Sequence, residues 1–530
     1  MNDLRLLTPL LCLLTPGLAQ VSYDRILNAS DREPGNWLTY SGNLQGHRYS
    51  KLDQINRSNA ASIRPLWVYQ IDRRDKFETT PLVADNIMYA SEPPSNVTAI
   101  DTRTGRVLWA YKRPIAEGMP VCCGYVNRGV AMLDEKVFVG TVDGHLVALD
   151  SKTGNVIWDT EVAQWKAGYS VTVAPLAFKD KVVVGVAGGE FGVRGFIDAY
   201  FASTGKRAWR FWTIPAKGEP GNETWEGESW KTGAATTWTT GAYDPASNTV
   251  FWGTGNPGPD WHGDKRKGDN LYSDCVVALD GDSGQRKWHF QFTPHDVHDW
   301  DSTQVPVLVD RPFRGQQRKL LLFANRNAFF YVLDRDNGKF LLGKPFAKQT
   351  WAKGLDDSGR PIRVPGTSPT KEGVLVYPSV PGATNYFSPS YSPATGLLYV
   401  AARDEGALYF TEDKPWEEGK WFLGGRWIFK PGEERHGAVR AIDPETGNIK
   451  WEFPMHTAPW AGVLSTAGGV VFGGSDEGHF FALDDSTGKL LWRFLTGGRV
   501  LSSPVTFLSE GKQRVAIAAG HDIFVFGIQE

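Results

Sequence analysis

Cysteine is scarce in this chain, four residues among 530. None stands in a Cys-x-x-Cys-His arrangement, which excludes covalently attached haem. Any electrons the protein handles must therefore leave to a separate partner. Net charge is nearly absent too, at −2, so nothing electrostatic favours nucleic acid or an anionic membrane surface. Beyond the first twenty residues no run of eighteen apolar residues occurs, which excludes a helical membrane span in the expected mature chain. Linkers, low-complexity tracts and blocks of like charge, the usual marks of a domain boundary, are missing as well.

What is present is a globular composition, 41% hydrophobic and 22% charged, with 58 glycines and 21 tryptophans. Glycine and aromatic residues at that level suggest short strands joined by tight turns. Residues 1–20 read as a secretory signal. Arg5 supplies the positive start, Leu6 to Leu14 the apolar stretch, and Gly17-Leu18-Ala19 a small-residue cleavage site. Cys12 falls inside the apolar stretch and lacks the small residues expected before a lipidated cysteine. The expected mature chain, 21–530, is exported and soluble, and keeps Cys122, Cys123 and Cys275. For Cys275 the default is a buried apolar thiol.

Length alone suggests roughly three or four domains, but a repeat overrides that count. Ala or another apolar residue, then Asp, then Thr-Gly or Ser-Gly, is followed four residues later by Trp. The pattern spans 99–109, 148–158, 278–288, 441–451 and 482–492. Degraded copies span 199–209, where Phe201 replaces Asp, and 332–342, where Leu342 replaces Trp. Each copy reads as a strand, a turn and a second strand. The Asp caps the turn and the Gly supplies positive φ. The Trp at fixed offset fits an anchor between neighbouring units. The gap between Leu342 and Ala441 has room for one more unit, and the hairpin-like stretch Tyr391 to Tyr399, similar to Tyr243 to Phe251, marks it. Eight units predict an all-β chain, a single eight-bladed β-propeller domain closed around a central funnel.

A propeller alone does not determine function; the decision rests on a few unusual residues. Cys122 and Cys123 are adjacent, and in an exported protein they can be oxidised to each other, the alternative being two separate buried thiols. Asp299 and Asp301 project to one face if their segment is extended. Two such carboxylates repel unless a cation lies between them, and oxygen-rich sites suit a hard cation such as Ca²⁺ or a lanthanide. The alternative is a solvated acidic loop. Glu190, in Gly188-Gly189-Glu190-Phe191-Gly192, and Asn256, in Gly253-Thr254-Gly255-Asn256-Pro257-Gly258-Pro259, offer further acceptors on loops that follow strands.

In these motifs the chain resembles the dehydrogenases that oxidise alcohols with pyrroloquinoline quinone (PQQ), the family of methanol and ethanol dehydrogenase large subunits. The likeness starts at Asn36-Trp37-Leu38-Thr39-Tyr40-Ser41-Gly42 and runs to the last repeat. It includes the Cys-Cys pair with Val126-Asn127-Arg128-Gly129, the Gly-Gly-Glu loop, the Gly-Thr-Gly-Asn-Pro-Gly-Pro loop and the His-Asp…Asp-x-Asp segment. The resemblance implies Asp299 as catalytic base and metal ligand, with Glu190, Asn256 and Asp301 as the other metal ligands. It implies a disulfide between Cys122 and Cys123 on one face of PQQ and the indole of Trp238 on the other. Glu78, Arg128, Thr172, Asn385 and Trp460 align with groups around the cofactor, Gly188 and Gly189 with backbone contacts, and Arg326 with the basic residue near the reactive quinone carbonyl. Ala187 departs from the pattern, since many relatives carry a serine there that bonds a PQQ carboxylate.

Asp301 favours a lanthanide over Ca²⁺, because a second carboxylate offsets the extra charge of a trivalent ion. Membrane glucose dehydrogenases also carry Asp-x-Asp here, but they lack the Cys-Cys pair and have Lys where this chain has Arg326. The resemblance further implies a periplasmic enzyme that takes a small, primary alcohol to an aldehyde and passes electrons to a soluble cytochrome c. The oligomeric state stays open, a homodimer included. A PQQ-dependent sugar or polyol dehydrogenase is the neighbouring alternative, and a non-enzymatic propeller scaffold the remote one.

Overall fold

The computed structural model describes residues 20–72 and 75–529. The secretory signal expected over residues 1–20, Cys12 included, lies outside the described residues except for Gln20. A single helix of two to three turns, α1 (Tyr23–Arg32), opens them. Ser22 caps it by accepting from Arg25 N, the arrangement that satisfies an otherwise orphaned amide.

Everything else of size is antiparallel sheet. Seven four-stranded meanders follow in chain order, spanning 82–111, 131–161, 176–212, 242–291, 307–345, 390–455 and 464–495. We number them sheets I to VII. In sheet VII the short strand Tyr49–Ser50 adds in parallel to Leu464–Thr466. Sheet VIII joins the two ends of the chain: Ile63–Gln70 pairs with Asp522–Ile528, which continues through Lys512–Ala519 to Val505–Ser509. Within a meander the second and third strands are buried, while the fourth shows partial exposure, as in Val156–Glu161. That strand is therefore the outer edge.

The repeat is visible atom by atom. Asp150 Oδ1 accepts from Lys152 N, Thr153 N and Thr153 Oγ1 at 2.8–3.0 Å, and Gly154 N closes the turn on Asp150 O at 2.9 Å. Asp280 and Asp484 hold their turns in the same way. A register shift just after the turn sets each Trp opposite its Ala, as Trp158 opposite Ala148. The indole then reaches the next sheet. Trp109 Nε1 donates to Ser151 O at 3.0 Å, and its ring lies so close over Gly154 that an added Cβ would sit 2.5 Å from Cε3. Trp158, Trp209, Trp288 and Trp451 make the same pair of contacts with Ala202 and Gly205, Gly281 and Gly284, Arg335 and Gly338, and Asp485 and Gly488. Leu342 covers Gly447 in place of an indole. Trp492 packs edge-on against Phe526 of sheet VIII, 5.4 Å between ring centroids.

Two sequence expectations need correction. The stretch Tyr391 to Tyr399 is a hairpin, but not a unit of its own. It supplies the first two strands of sheet VI, whose other two are the repeat at 441–451. An insertion between them, carrying Ala407–Thr411 and Gly425–Ile428 in a separate small sheet with Val374–Val376, splits the meander and hides its unity in the sequence. The eighth sheet lies instead at the chain ends. There Trp67 follows the same register shift opposite Val525, donates to Thr102 O at 3.0 Å, and covers Gly105 of sheet I. Its strand precedes the others in sequence, so no turn motif announces it.

Candidate active site

The candidate site residues singled out in the sequence lie on connections before or within sheets I to VII, none of them in a strand, yet most join one continuous set of contacts. Arg128 pairs with Glu78 at 2.8 Å and donates to Thr172 Oγ1 at 2.9 Å. Its guanidinium lies 4.6 Å from the Trp238 ring centroid and 4.9 Å from that of Tyr386. Trp238 Nε1 donates to Asp301 Oδ2 at 3.3 Å. Arg326 Nη1 donates to the same oxygen at 2.5 Å and sets Nη2 3.7 Å from Asp299 Oδ1. Asp301 Oδ1 accepts from Asn256 N at 2.9 Å. Trp238 and Trp460 flank one small apolar cluster with Tyr386 and Phe387, and Asn385 is fixed beside it by donating to Pro381 O at 2.8 Å.

The Gly188–Gly189 loop turns back sharply, Gly188 at φ 113° opening the short turn Gly189–Phe191. A Cβ at Gly188 would sit 2.2 Å from Gly168 O, so only glycine fits. The turn brings the Glu190 carboxylate within 4.8 Å of both sulfurs of Cys122 and Cys123. Those sulfurs are bonded to each other, which makes them a surface beside Glu190 and not metal ligands. The insertion in sheet VI clamps this turn: Phe422 N donates to Glu190 O at 2.7 Å and Trp416 Nε1 to Phe191 O at 3.0 Å. Ala187 bonds only through its backbone, to Ser170.

The expectation that an extended segment aligns Asp299 with Asp301 is not met. Asp299 has φ 62°, the left-handed region that Asp tolerates better than most residues but seldom enters. Alternation along a strand therefore does not pair the two carboxylates; Arg326 does. Glu190, Asp299 and Asp301 do not draw their oxygens within 4.8 Å of one another as a trio among the described residues.

Burial and mutual repulsion dominate the electrostatics. Burial pushes Glu190 up to about 7, with the Asp301 charge adding to it. Burial likewise raises Asp299 well above the usual carboxylate range. Arg326 opposes the shift, and Asp260, Asp301 and Glu190 add to it. Asp301 is raised in the same sense, again against Arg326. Carboxylates crowded in this way take up protons or a cation. The donor set, carboxylate oxygens with an amide, is that of a hard cation. Of the buried guanidinium nitrogens without a hydrogen-bond partner among the described residues, Arg128 Nε and Arg326 Nε belong to this cluster. These observations fit a metal ion and a polar, anionic cofactor.

Three residues of the site escaped sequence reasoning. Tyr386 links Arg128 to Trp460, and only its adjacency to Asn385 hinted at it. Asp260, 2% exposed, accepts from Asn256 Nδ2 at 2.9 Å and follows the Asn256 loop directly in sequence. Asp274 is fully buried, and neither carboxylate oxygen has a hydrogen-bond partner among the described residues; no motif marks it. Cys275 is buried and donates weakly to Ser273 O.

Residues 37–348 match the family model described as glucose/ethanol/alcohol dehydrogenase, beta-propeller domain, with PQQ in its name, and residues 435–522 match that of the outer membrane protein assembly factor BamB. The quinoprotein alcohol dehydrogenase PedH of Pseudomonas putida is 40% identical, over 95% of this chain and 89% of its own. The lanthanide-dependent methanol dehydrogenase of Methylacidiphilum fumariolicum is 36% identical, over 92% and 85%. Among solved structures, the quinohemoprotein alcohol dehydrogenase of Comamonas testosteroni superposes with a TM-score of 0.91 at 36% identity, covering 96% of this chain and 82% of that one. A europium-containing methanol dehydrogenase gives 0.90 at 32% identity, over 94% and 99%.

Proposed function

Because the chain belongs to the PQQ-dependent alcohol dehydrogenases, we propose that it oxidises a primary alcohol to the aldehyde at the Asp299–Arg326 site. The observation that carries this reading is the buried cluster at Arg326, where Asp301 lies at 2.5 Å and Asp299 at 3.7 Å, tied to Trp238 and to Asn256 through Asp301. The eight sheets are the blades of a closed ring, residues 21–530 are one domain, and the site lies in its central funnel. The chain of indole contacts, from Trp109 to Gly154 and onward to Trp67 over Gly105, supports the closure.

PQQ would accept the two electrons as a hydride equivalent when bound, and the metal would make it more electrophilic. The residues supply the rest. Asp299 takes the hydroxyl proton of the alcohol as general base. Arg326, already balanced by Asp301, holds a fixed positive charge where negative charge develops. Glu190, Asn256, Asp299 and Asp301 would hold the metal, and Cys122, Cys123, Trp238, Glu78, Arg128, Thr172, Gly188, Gly189, Asn385 and Trp460 would hold the cofactor. Asp301 makes a lanthanide the favoured ion and Ca²⁺ the alternative. Export to the periplasm and transfer of electrons to a soluble cytochrome c complete the reading.

The test is dye-linked ethanol oxidation by metal-stripped protein given PQQ with either Ca²⁺ or La³⁺. Activity with La³⁺ alone supports the lanthanide site, and activity with Ca²⁺ alone refutes it while keeping the enzyme. Asp299→Ala should lower turnover by a factor of about 10²–10⁴ without unfolding the protein; full activity in that variant would refute Asp299 as base.

A further inference from the structure

Asp260 has no role in the reading above, yet it is buried against one of the groups that reading assigns to the metal. Its Oδ1 accepts from Asn256 Nδ2 at 2.9 Å, and Pro257 O lies 3.5 Å from the same nitrogen. The amide nitrogen of Asn256 thus faces Asp260, and the amide oxygen faces the other way. Among the described residues that oxygen accepts no hydrogen bond. The backbone of Asn256 is held as well, its N donating to Asp301 Oδ1 at 2.9 Å. Oxygen and nitrogen of an amide have nearly the same shape, so packing alone does not choose between them. A flipped Asn256 would present an NH₂ group to a cation, and that is repulsive.

We propose that Asp260 is a positioning residue that locks the Asn256 side chain with its oxygen turned toward the metal. The inference rests on the metal site proposed above. It assigns to Asp260 an orienting hydrogen bond and no direct contact with the ion. Outer partners of this kind govern affinity through the ligand they hold.

The experiment measures ion binding directly, without turnover. Metal-free protein is titrated calorimetrically with Ca²⁺ and with La³⁺, and the melting temperature of each metal-free variant is recorded. Asp260→Ala should weaken both ions to a similar degree, by about 10–100-fold. Asp260→Asn, whose amide oxygen can still accept from Asn256 Nδ2, should stay near the wild-type affinity. In an Asn256→Ala background, Asp260→Ala should add nothing, since the effect passes through Asn256. Unchanged affinity in Asp260→Ala overturns the proposal. So does equal loss in Asp260→Asn, or a loss confined to La³⁺, because either result points to charge and not to orientation. If the alanine variant does not fold, Asp260→Leu, closer in volume, takes its place. A wild-type protein that binds neither ion refutes the metal site itself, a different result from any of these.

Discussion

Asp301→Ala removes more than one candidate ligand. Asp301 takes Arg326 Nη1 at 2.5 Å and Trp238 Nε1 at 3.3 Å on one oxygen, and Asn256 N at 2.9 Å on the other. Removing one partner of a buried ion pair costs about 3–5 kcal/mol. Here Asp299, 3.7 Å from Arg326, takes over part of the pairing, so a loss of about 2–3 kcal/mol is the better expectation. In a chain of this length that lowers the melting temperature of the metal-free protein by roughly 2–3 °C. The variant should also discriminate between ions. A unit charge about 4 Å from an ion is worth about 4 kcal/mol per ion charge at an effective dielectric of 20. The third charge of a lanthanide thus loses more than Ca²⁺ does, and desolvation reduces the difference to about 1–3 kcal/mol, or roughly 5–150-fold in relative affinity. Calorimetric titration of both ions, with melting curves alongside, reads both effects. Equal losses for the two ions would refute charge matching by Asp301, and an unchanged melting curve would refute the buried pair.

Burial depresses His289 to about 4, with Arg286 adding to the effect. An unfolded His binds its proton below about 6.5, so stability is intact above that pH and drains away as pH falls toward 4. Since the ring is partly exposed, the loss is about 1–2 kcal/mol, and His289→Gln should flatten the melting curve between pH 6.5 and 4; a variant with the wild-type slope contradicts this. Trp67→Ala should cost about 2–4 kcal/mol in denaturant unfolding, comparable to Trp109→Ala, because both indoles join neighbouring sheets; a silent Trp67→Ala means that sheets VIII and I do not depend on each other. Trp416→Ala loosens the turn that carries Glu190, with metal affinity expected to fall about tenfold and the melting temperature of the metal-free protein little changed; unaltered affinity refutes the clamp.

The repeat made the sheets legible because it is local. An Asp that caps its own turn, a Gly in the left-handed region and a Trp at fixed offset need only eleven consecutive residues, and Asp150 to Trp158 forms just as such a pattern demands. Candidate groups stood out where rare residues cluster in sequence, as at Cys122-Cys123 and at Asp299 and Asp301. What the sequence could not reveal depends on residues far apart in the chain. Trp67 finds its partner strand more than 450 positions away, and the hairpin at Tyr391 belongs to the sheet that an insertion interrupts.

The same distinction runs through the site. By itself, the sequence determined which groups are available: the carboxylates, the amide of Asn256, the guanidinium of Arg326, the paired sulfurs. Only the tertiary structure decided how they face one another. Arg326 draws in Asp301, Asp260 fixes the side chain of Asn256, and Asp299 enters the left-handed region. Burial then lifts these acids above their ordinary range. Such shifts arise from desolvation and from charges a few ångströms apart, and chain position sets neither of them.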